Sequence, residues 1–262
     1  MNKYYKKLKE MAGLAPINGR DKVSDITIPN NSAPGQISYS QSGEDLIIDY
    51  VLTNHFSVEK ATYLDIGAYD PIKFSNTYLL YKKGGRGVLV EPDPDLVKNI
   101  AQKRPGDRVL NVGISDKDST QDFYLVSPPT LNTFSKKDYE QYKLFYPGTT
   151  LRGTVKMEVL SATRLLDKYI KDGLDLLSID VEGLDYKILS SINFKKNRPT
   201  VICIESVKYE KGNTWTKPKD IPRYLYKNGY FLYADTFINS IYVDKDKWIK
   251  NGQPNLNNFE GR

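Results

Sequence analysis

In Tyr63-Leu64-Asp65-Ile66-Gly67-Ala68-Tyr69-Asp70, a near-continuous apolar run stops at a glycine and passes into an acidic loop. A short run of this kind reads as a strand buried on both faces, the arrangement of a parallel sheet. Val88-Leu89-Val90, Arg108 to Val112, Leu176-Leu177-Ser178-Ile179 and Val201-Ile202-Cys203-Ile204 repeat it. Helical periods fall around them: Glu44 to Leu52, Asn76 to Lys82, Asp95 to Lys103, Ser161 to Ile170, Tyr186 to Ser191 and Ile221 to Lys227. The alternation predicts an α/β fold, a Rossmann-like, doubly wound, mostly parallel sheet with right-handed crossovers. Tyr230 to Ala234 and Ile238 to Val243 are predicted to form an antiparallel hairpin at the C-terminal edge. Thr120 to Val126 and Thr154 to Leu160 are further strands, bracketing a polar, Tyr- and Lys-rich insertion over 127–152 that is expected to act as a lid.

The chain has 262 residues, of which 39% are hydrophobic and 27% charged, enough for one substantial core. That core is expected over 37–248, with an N-terminal arm over 1–36 and a flexible tail over 249–262. Lys3, Lys6, Lys7 and Lys9 alternate with Tyr4, Leu8 and Met11, which predicts a short solvated helix in the arm. The net charge of +6 is spread along the chain, so it permits a nucleic-acid partner without demanding one. One cysteine, Cys203, and one histidine, His55, exclude a disulfide framework, a Cys/His zinc site or a C-x-x-C centre within a single chain. Cys203 lies in a buried strand, and His55 reads as a satisfied loop histidine. No stretch approaches the roughly 20 apolar residues of a membrane span, and Met1 to Met11 lacks a signal-peptide core, so a cytoplasmic location is expected.

In such a sheet the ligand sits outside the carboxyl ends of the strands, where the strand order reverses. A dinucleotide site would need G-x-G-x-x-G to bring backbone N–H groups to a pyrophosphate, and the loop after Ile66 has the single glycine Gly67. Asp65, Gly67, Ala68 and Asp70 instead offer a close backbone approach together with carboxylates, which suits a cationic amine. S-adenosylmethionine carries an amine and a sulfonium and no phosphate. The second strand ends in Glu91-Pro92, where a carboxylate can accept both hydroxyls of a ribose. Asn111 and Gly113, after the third strand, are candidates for an adenine pocket. The fourth strand ends in Asp180-Val181-Glu182-Gly183, and the Pro-Pro-aromatic stretch with which base N-methyltransferases stack a flipped base is absent there.

Together these segments resemble the FkbM family of S-adenosylmethionine-dependent methyltransferases from Ser40 to about Val207. The resemblance is carried by Ser40-Gln41-Ser42-Gly43-Glu44-Asp45, Leu64 to Pro71 with Ser75-Asn76-Thr77-Tyr78, and Gly84 to Pro92. Arg104-Pro105, Leu177 to Gly183, Arg198-Pro199 and Ile204-Glu205 complete it. The resemblance implies a class I methyltransferase fold, O-methylation of sugars or natural-product hydroxyls, and a glycan or polysaccharide precursor as acceptor. It also implies that Gln41, Glu44 and Asp45 begin a helix covering the cofactor, with Glu44 or Asp45 on the methionine amine. Capping of that helix by Ser40 or Ser42 is the competing role. Ser75 and Asn76 belong to the same cofactor-binding set, and Ser75 also suits a helix cap. Where relatives carry Asn the chain has Tyr69, and where many carry Glu it has Asp185.

Transfer of a methyl group to a sugar hydroxyl needs the oxygen aligned and its proton removed. Asp180 is the expected base, with Glu182 nearby; the open alternative is a divalent ion held by Asp180 and Glu205. Two readings from other classes stand beside this one. An RNA methyltransferase is favoured by the charge and the Lys-rich insertion and disfavoured by the missing stacking motif and basic domain. A non-catalytic binding module would be expected to lose its strand-end acids, and Asp65, Glu91, Asp180 and Glu182 are all present.

Overall fold

The computed structural model describes residues 35–181, 183–210 and 214–254. The arm as far as residue 34, the tail beyond 254 and Glu182 lie outside the described residues. Helix α1 (Glu44–Tyr50), prolonged by a π-helical turn over Val51–His55, precedes β1 (Thr62–Ile66). Next come α2 (Tyr78–Lys82), β2 (Arg86–Val90), α3 (Pro94–Lys103) and β3 (Arg108–Leu110). The middle of the chain holds β4 (Gly113–Ser115), β5 (Ser119–Ser127), α4 (Lys136–Phe145), β6 (Thr150–Ser161) and α5 (Ala162–Tyr169). Then follow β7 (Leu176–Ile179), α6 (Asp185–Ser190), β8 (Val201–Glu205), β9 (Lys208–Glu210) and β10 (Thr214–Thr216). The last elements are α7 (Asp220–Lys227), β11 (Tyr230–Asp235), β12 (Asn239–Asp244) and α8 (Lys245–Lys250).

The main sheet has the order β11-β12-β8-β7-β1-β2-β3. Pairs among β3, β2, β1, β7 and β8 are parallel, whereas β12 runs antiparallel to both β8 and β11. The sheet is therefore doubly wound, with the expected antiparallel hairpin at one edge. Its strand order reverses between β1 and β7. Side-chain alternation explains why both faces are covered. Leu64, Ile66, Val88, Val90, Leu177, Ile179, Ile202 and Ile204 pack with Leu165 and Leu166 of α5, Ile188 of α6 and Leu225 of α7. Tyr63, Leu89, Leu176, Val201 and Cys203 face the other way, toward Ile48, Val51, Leu52, Ile100 and Trp248. Each such fully buried aliphatic side chain stabilises the fold by about 1.5–3 kcal/mol.

Local chemistry sets the boundaries where they differ from expectation. Pro94 occupies the first turn of α3 behind Asp93, whose side chain accepts the Asp95 N–H, so α3 begins one residue before Asp95. Helix α2 begins at Tyr78 rather than Asn76 because Asn76 and Thr77 spend their side chains on neighbouring strands. The third strand ends at Leu110, and Gly113–Ser115 is a strand pairing parallel to β6. A Cβ on Gly113 would come within 2.4 Å of the Phe134 ring, which packs there from the 127–152 segment. The chain stays ordered past Trp248, the expected edge of the core. Helix α8 runs to Lys250, and the Trp248 indole donates to the Pro254 carbonyl at 3.0 Å. His55 is satisfied by Gln253 at 3.1 Å and lies tilted against Trp248, with ring centroids 4.5 Å apart.

Candidate active site

The reversal of strand order brings the end of β1 beside the end of β7. The Asp180 N–H donates to the Ile66 carbonyl at 3.0 Å, and Gly67 then turns with φ +87°. A Cβ on Gly67 would stand 1.8 Å from the Asp180 carbonyl oxygen, so only glycine fits at this crossing. On the other side, the Gly67 and Ala68 N–H groups both donate to the Val90 carbonyl, at 3.0 and 3.2 Å. Backbone hydrogen bonds thus set the Gly67 turn between β7 and β2.

Glu91, at the end of β2, ties this loop to the next. Its Oε2 accepts the Tyr69 N–H at 3.0 Å and its Oε1 the Asp93 N–H at 2.8 Å. Burial pushes its carboxyl up to about 7 against those two hydrogen bonds. Asn111 clamps the same corner, its Nδ2 donating to the Glu91 and Pro92 carbonyls at 3.0 and 2.9 Å. The adjacent Asp93 is fully buried. Burial opposes its charge, but the Asp95 N–H, Arg152 and Asn132 together hold its carboxylate below the ordinary range. Asn132 donates to Asp93 Oδ2 at 2.8 Å and Arg152 pairs with the same oxygen. Both ends of the 127–152 segment are therefore fastened two residues beyond Glu91.

Beneath the loop lies a buried polar network. Asp65 accepts the Thr77 hydroxyl at 2.6 Å, and burial raises its carboxyl while Thr77 and Arg104 oppose the shift. Arg104 is fully buried and donates to Thr77 at 3.0 Å, Ser75 at 3.3 Å, the Tyr63 hydroxyl at 3.1 Å and Asp107 at 2.8 Å. Asp107 also accepts the Gly87 N–H at 2.8 Å. Ser75 Oγ accepts the Tyr78 N–H at 3.1 Å, and Asn76 donates to Ser178 Oγ at 3.2 Å, linking the loop to β7.

The sequence candidates therefore fall into two groups. Asp65, Gly67, Ala68, Glu91, Pro92 and Asp180 converge on the carboxyl edge at the reversal. Glu44, Asp45, Asp70, Ser75, Asn76 and Asn111 bond to the protein itself. Asp45 accepts from Ser38 Oγ, Tyr39 N, Ser40 Oγ and its own neighbour Leu46 N at 2.6–3.0 Å. Asp70 accepts the Ile72 and Lys73 N–H groups at 2.9 and 2.8 Å. These two acids bond to the segments around a shallow cavity of about 200 Å³ lined by Ser38, Tyr39, Ser40, Ile72, Lys73 and Phe74. Gln41 is exposed ahead of α1, and Gly113 is buried in β4. Sequence reasoning missed three positioning residues. Arg104 entered only through the Arg104-Pro105 pair of the resemblance and Arg152 only as the end of the insertion, and Asp185, seen only as a conservative departure, accepts the Val181 and Gly183 N–H groups, each at 3.0 Å. Burial raises the Asp185 carboxyl to about 6. The signal for Arg104 was its place beside Pro105 in an otherwise polar helix end.

The donor set fits S-adenosylmethionine. Each Glu91 oxygen accepts one backbone N–H and keeps a second lone pair, enough for one ribose hydroxyl apiece. The strand ends beside Gly67 carry the acids Asp65, Glu91 and Asp180, a set that suits an amine better than a phosphate. No group of three or more His, Cys, Asp or Glu side chains suited to a metal ion occurs among the described residues. No helix among them is long and apolar enough to cross a membrane.

The Methyltransferase FkbM domain matches residues 65–232, more than half of the chain and beginning at Asp65. No curated protein matches. Among solved structures, a TehB-like SAM-dependent methyltransferase from Corynebacterium glutamicum is 14% identical, covering 92% of this chain and 96% of its own, with a TM-score of 0.39. An O-methyltransferase from Bacillus cereus in complex with SAH is 14% identical, covering 84% and 93%, with a TM-score of 0.40. Magnesium protoporphyrin IX methyltransferase from Synechocystis with bound SAM is 12% identical, covering 80% and 85%, with a TM-score of 0.35. With its Asp65-Ile66-Gly67 turn, its Glu91 corner and the matched domain in register, the chain belongs to the FkbM family of class I S-adenosylmethionine-dependent methyltransferases.

Proposed function

We propose that the protein methylates a hydroxyl of a sugar in a glycan or polysaccharide precursor. The observation that carries this reading is the crossing of Gly67 and Asp180, which puts a carboxylate-bearing residue at the edge where the strand order reverses. S-adenosylmethionine, when bound, supplies an electrophilic methyl group. Glu91 holds the ribose hydroxyls, and Asp65, kept in place by Thr77, contributes the negative field that favours the amine. Asp180 aligns the acceptor hydroxyl and takes its proton as the new O–C bond forms and the S–C bond breaks. Hydroxyls are weak acids, so a base is required, and Asp180 is the carboxylate at that strand end. The 127–152 segment, fastened through Arg152 and Asn132 to Asp93, forms the wall on the ribose side and excludes water there.

The test is isothermal titration with S-adenosylhomocysteine, run on the wild type and on Glu91→Ala, followed by transfer assays on sugar acceptors with Asp180→Asn. Micromolar binding that Glu91→Ala abolishes supports the cofactor site. Sugar methylation that Asp180→Asn abolishes supports the base. Transfer to nitrogen acceptors alone would refute the hydroxyl assignment.

A further inference from the structure

A cavity of about 200 Å³ borders the loop that follows Gly67, between Ser38-Tyr39-Ser40 on one side and Ile72-Lys73-Phe74 on the other. The Ser75 N–H donates to the Tyr39 carbonyl at 3.1 Å and joins the two segments. The acids that bond to these segments are already engaged. Asp45 Oδ1 accepts the Ser38 and Ser40 hydroxyls at 2.6 and 2.8 Å, and Asp70 Oδ1 accepts the Ile72 and Lys73 N–H groups at 2.9 and 2.8 Å. The cations are not matched in the same way. Lys73 lines the cavity and has no acidic partner among the described residues. Lys82 pairs with a phenol rather than an acid: its Nζ donates to the Tyr39 hydroxyl at 2.8 Å and lies 5.2 Å from the centre of that ring.

The lining specifies the ligand. Phe74 takes φ +59° and leaves 63% of its surface exposed. A large aromatic residue in the left-handed region is costly, and glycine would be the ordinary occupant of an exposed turn. The Tyr39 hydroxyl, which accepts from Lys82, keeps its own proton for a further acceptor. An aromatic face beside ammonium groups without acids and a phenolic donor suits a ring that presents C–H bonds on one side and an anionic substituent at its rim. Pockets that enclose a drug-sized ligand run to about 300–1,000 Å³, so this smaller cavity takes one sugar residue rather than a whole precursor. Its position serves the same edge of the sheet. Gly67 crosses Asp180, and the chain from Gly67 to Ile72 spans at most about 18 Å, within the length of a precursor carrying several sugar residues.

We infer that this cavity is an acceptor subsite for a sugar residue bearing a phosphate or a carboxylate, with the Phe74 ring covering its C–H face and Lys73 and Tyr39 donating to its anionic group. This inference rests on the sugar reading above and adds the charge of the acceptor. The subsite holds one residue of the precursor while a hydroxyl elsewhere on it lies at Asp180.

The experiment is a saturation-transfer-difference NMR titration of the full chain, with and without saturating S-adenosylhomocysteine. The probes are glucose 1-phosphate, methyl β-glucuronide and the neutral methyl β-glucoside, and the proteins are wild type, Lys73→Gln and Phe74→Gly. Lys73 is exposed and Phe74→Gly relieves a positive φ, so both variants are expected to fold. In the wild type at least one anionic probe should bind about five-fold or more tighter than the neutral one, and the tighter of the two identifies the anion. Lys73→Gln should abolish that preference, and Phe74→Gly should weaken every probe that binds by about five-fold, with binding of S-adenosylhomocysteine unchanged in both. Equal affinity for neutral and anionic probes, or undiminished binding in the folded variants, overturns the subsite. Displacement of the probe by S-adenosylhomocysteine overturns it too, by giving the cavity to the cofactor. Sugar methylation that needs Asp180 and ignores both variants removes the subsite and leaves the sugar reading standing, whereas a wild type that binds no S-adenosylhomocysteine refutes the cofactor reading beneath it and the subsite with it.

Discussion

Glu91 and Tyr69 are joined by a hydrogen bond from the Tyr69 backbone N–H to Glu91 Oε2 at 3.0 Å, so the carboxylate proposed to hold the ribose also holds the glycine loop in place. One side chain therefore couples ligand recognition to loop geometry. Tyr69 takes φ +48°, a left-handed conformation that this bond and the Gly67 turn before it sustain.

The coupling makes cofactor binding pH-dependent. The folded-state pKa of Glu91 is raised to about 7 by burial, above its unfolded value. A raised carboxyl adds stability below the unfolded pKa and loses it as pH rises through about 7. The loss attributable to Glu91 is on the order of 2–3 kcal/mol between pH 5 and pH 8. Ribose hydroxyls donate to the charged form, so S-adenosylhomocysteine affinity should rise over the same interval. Denaturant melts and titrations at several pH values should show both trends in the wild type and neither of these contributions in Glu91→Gln, with the residual slope assigned to the other raised carboxyls, Asp185 and Asp65.

Asp180→Asn keeps the backbone contacts to Ile66 and Gly67 and removes the base. Turnover should fall by about 10²–10⁴ with S-adenosylhomocysteine affinity nearly unchanged. Retention of full turnover, measured on any accepted sugar, would show that the proton leaves by another route.

Gly67→Ala places a methyl group 1.8 Å from the Asp180 carbonyl and imposes φ +87° on an L-residue. A loss of about 3 kcal/mol or more is expected, because the obstacle is backbone and cannot rotate away. Thermal melts would register the destabilisation, and titration would show loss of cofactor binding even at temperatures where the variant is folded.

Arg104→Met leaves Asp107 with no side-chain cation in a buried site and deprives Thr77 and Ser75 of a donor. Removing one partner of a buried ion pair typically costs about 3–5 kcal/mol. Arg104→Lys should recover only part of the loss, since an ammonium cannot reproduce the planar fork that reaches Asp107, Thr77 and Tyr63 together. Urea denaturation of the three proteins orders them.

Arg152→Ala removes one clasp between the 127–152 segment and Asp93 while Asn132 retains the other. Limited proteolysis should cut within that segment several-fold faster. S-adenosylhomocysteine affinity should weaken by about ten-fold, the equivalent of one charge-assisted hydrogen bond.

Much of the fold was legible because its signals are local. An apolar run between turn residues is a buried strand whatever lies far away, and Asp93-Pro94 or Ser161 announces a helix start through its own backbone chemistry. The acidic strand ends at Asp65, Glu91 and Asp180 were visible for the same reason. Glu44 and Asp45 were not resolved between ligand binding and structure. Their partners are close in sequence for Asp45, at Ser38 to Ser40, but for Glu44 include Thr236 and Asn239, which only the packing of β12 against β8 brings near.

The sequence by itself determined the doubly wound α/β sheet, the glycine turn and the acidic strand ends, since each depends on residues within a few positions of one another. Only the tertiary structure decided which carboxylates converge where the strand order reverses, which partners each of them bonds, and why Arg104 is buried. The physical reason is that a polar side chain is defined by the donors and acceptors around it, and in a sheet of this order those come from strands that are adjacent in space and far apart along the chain.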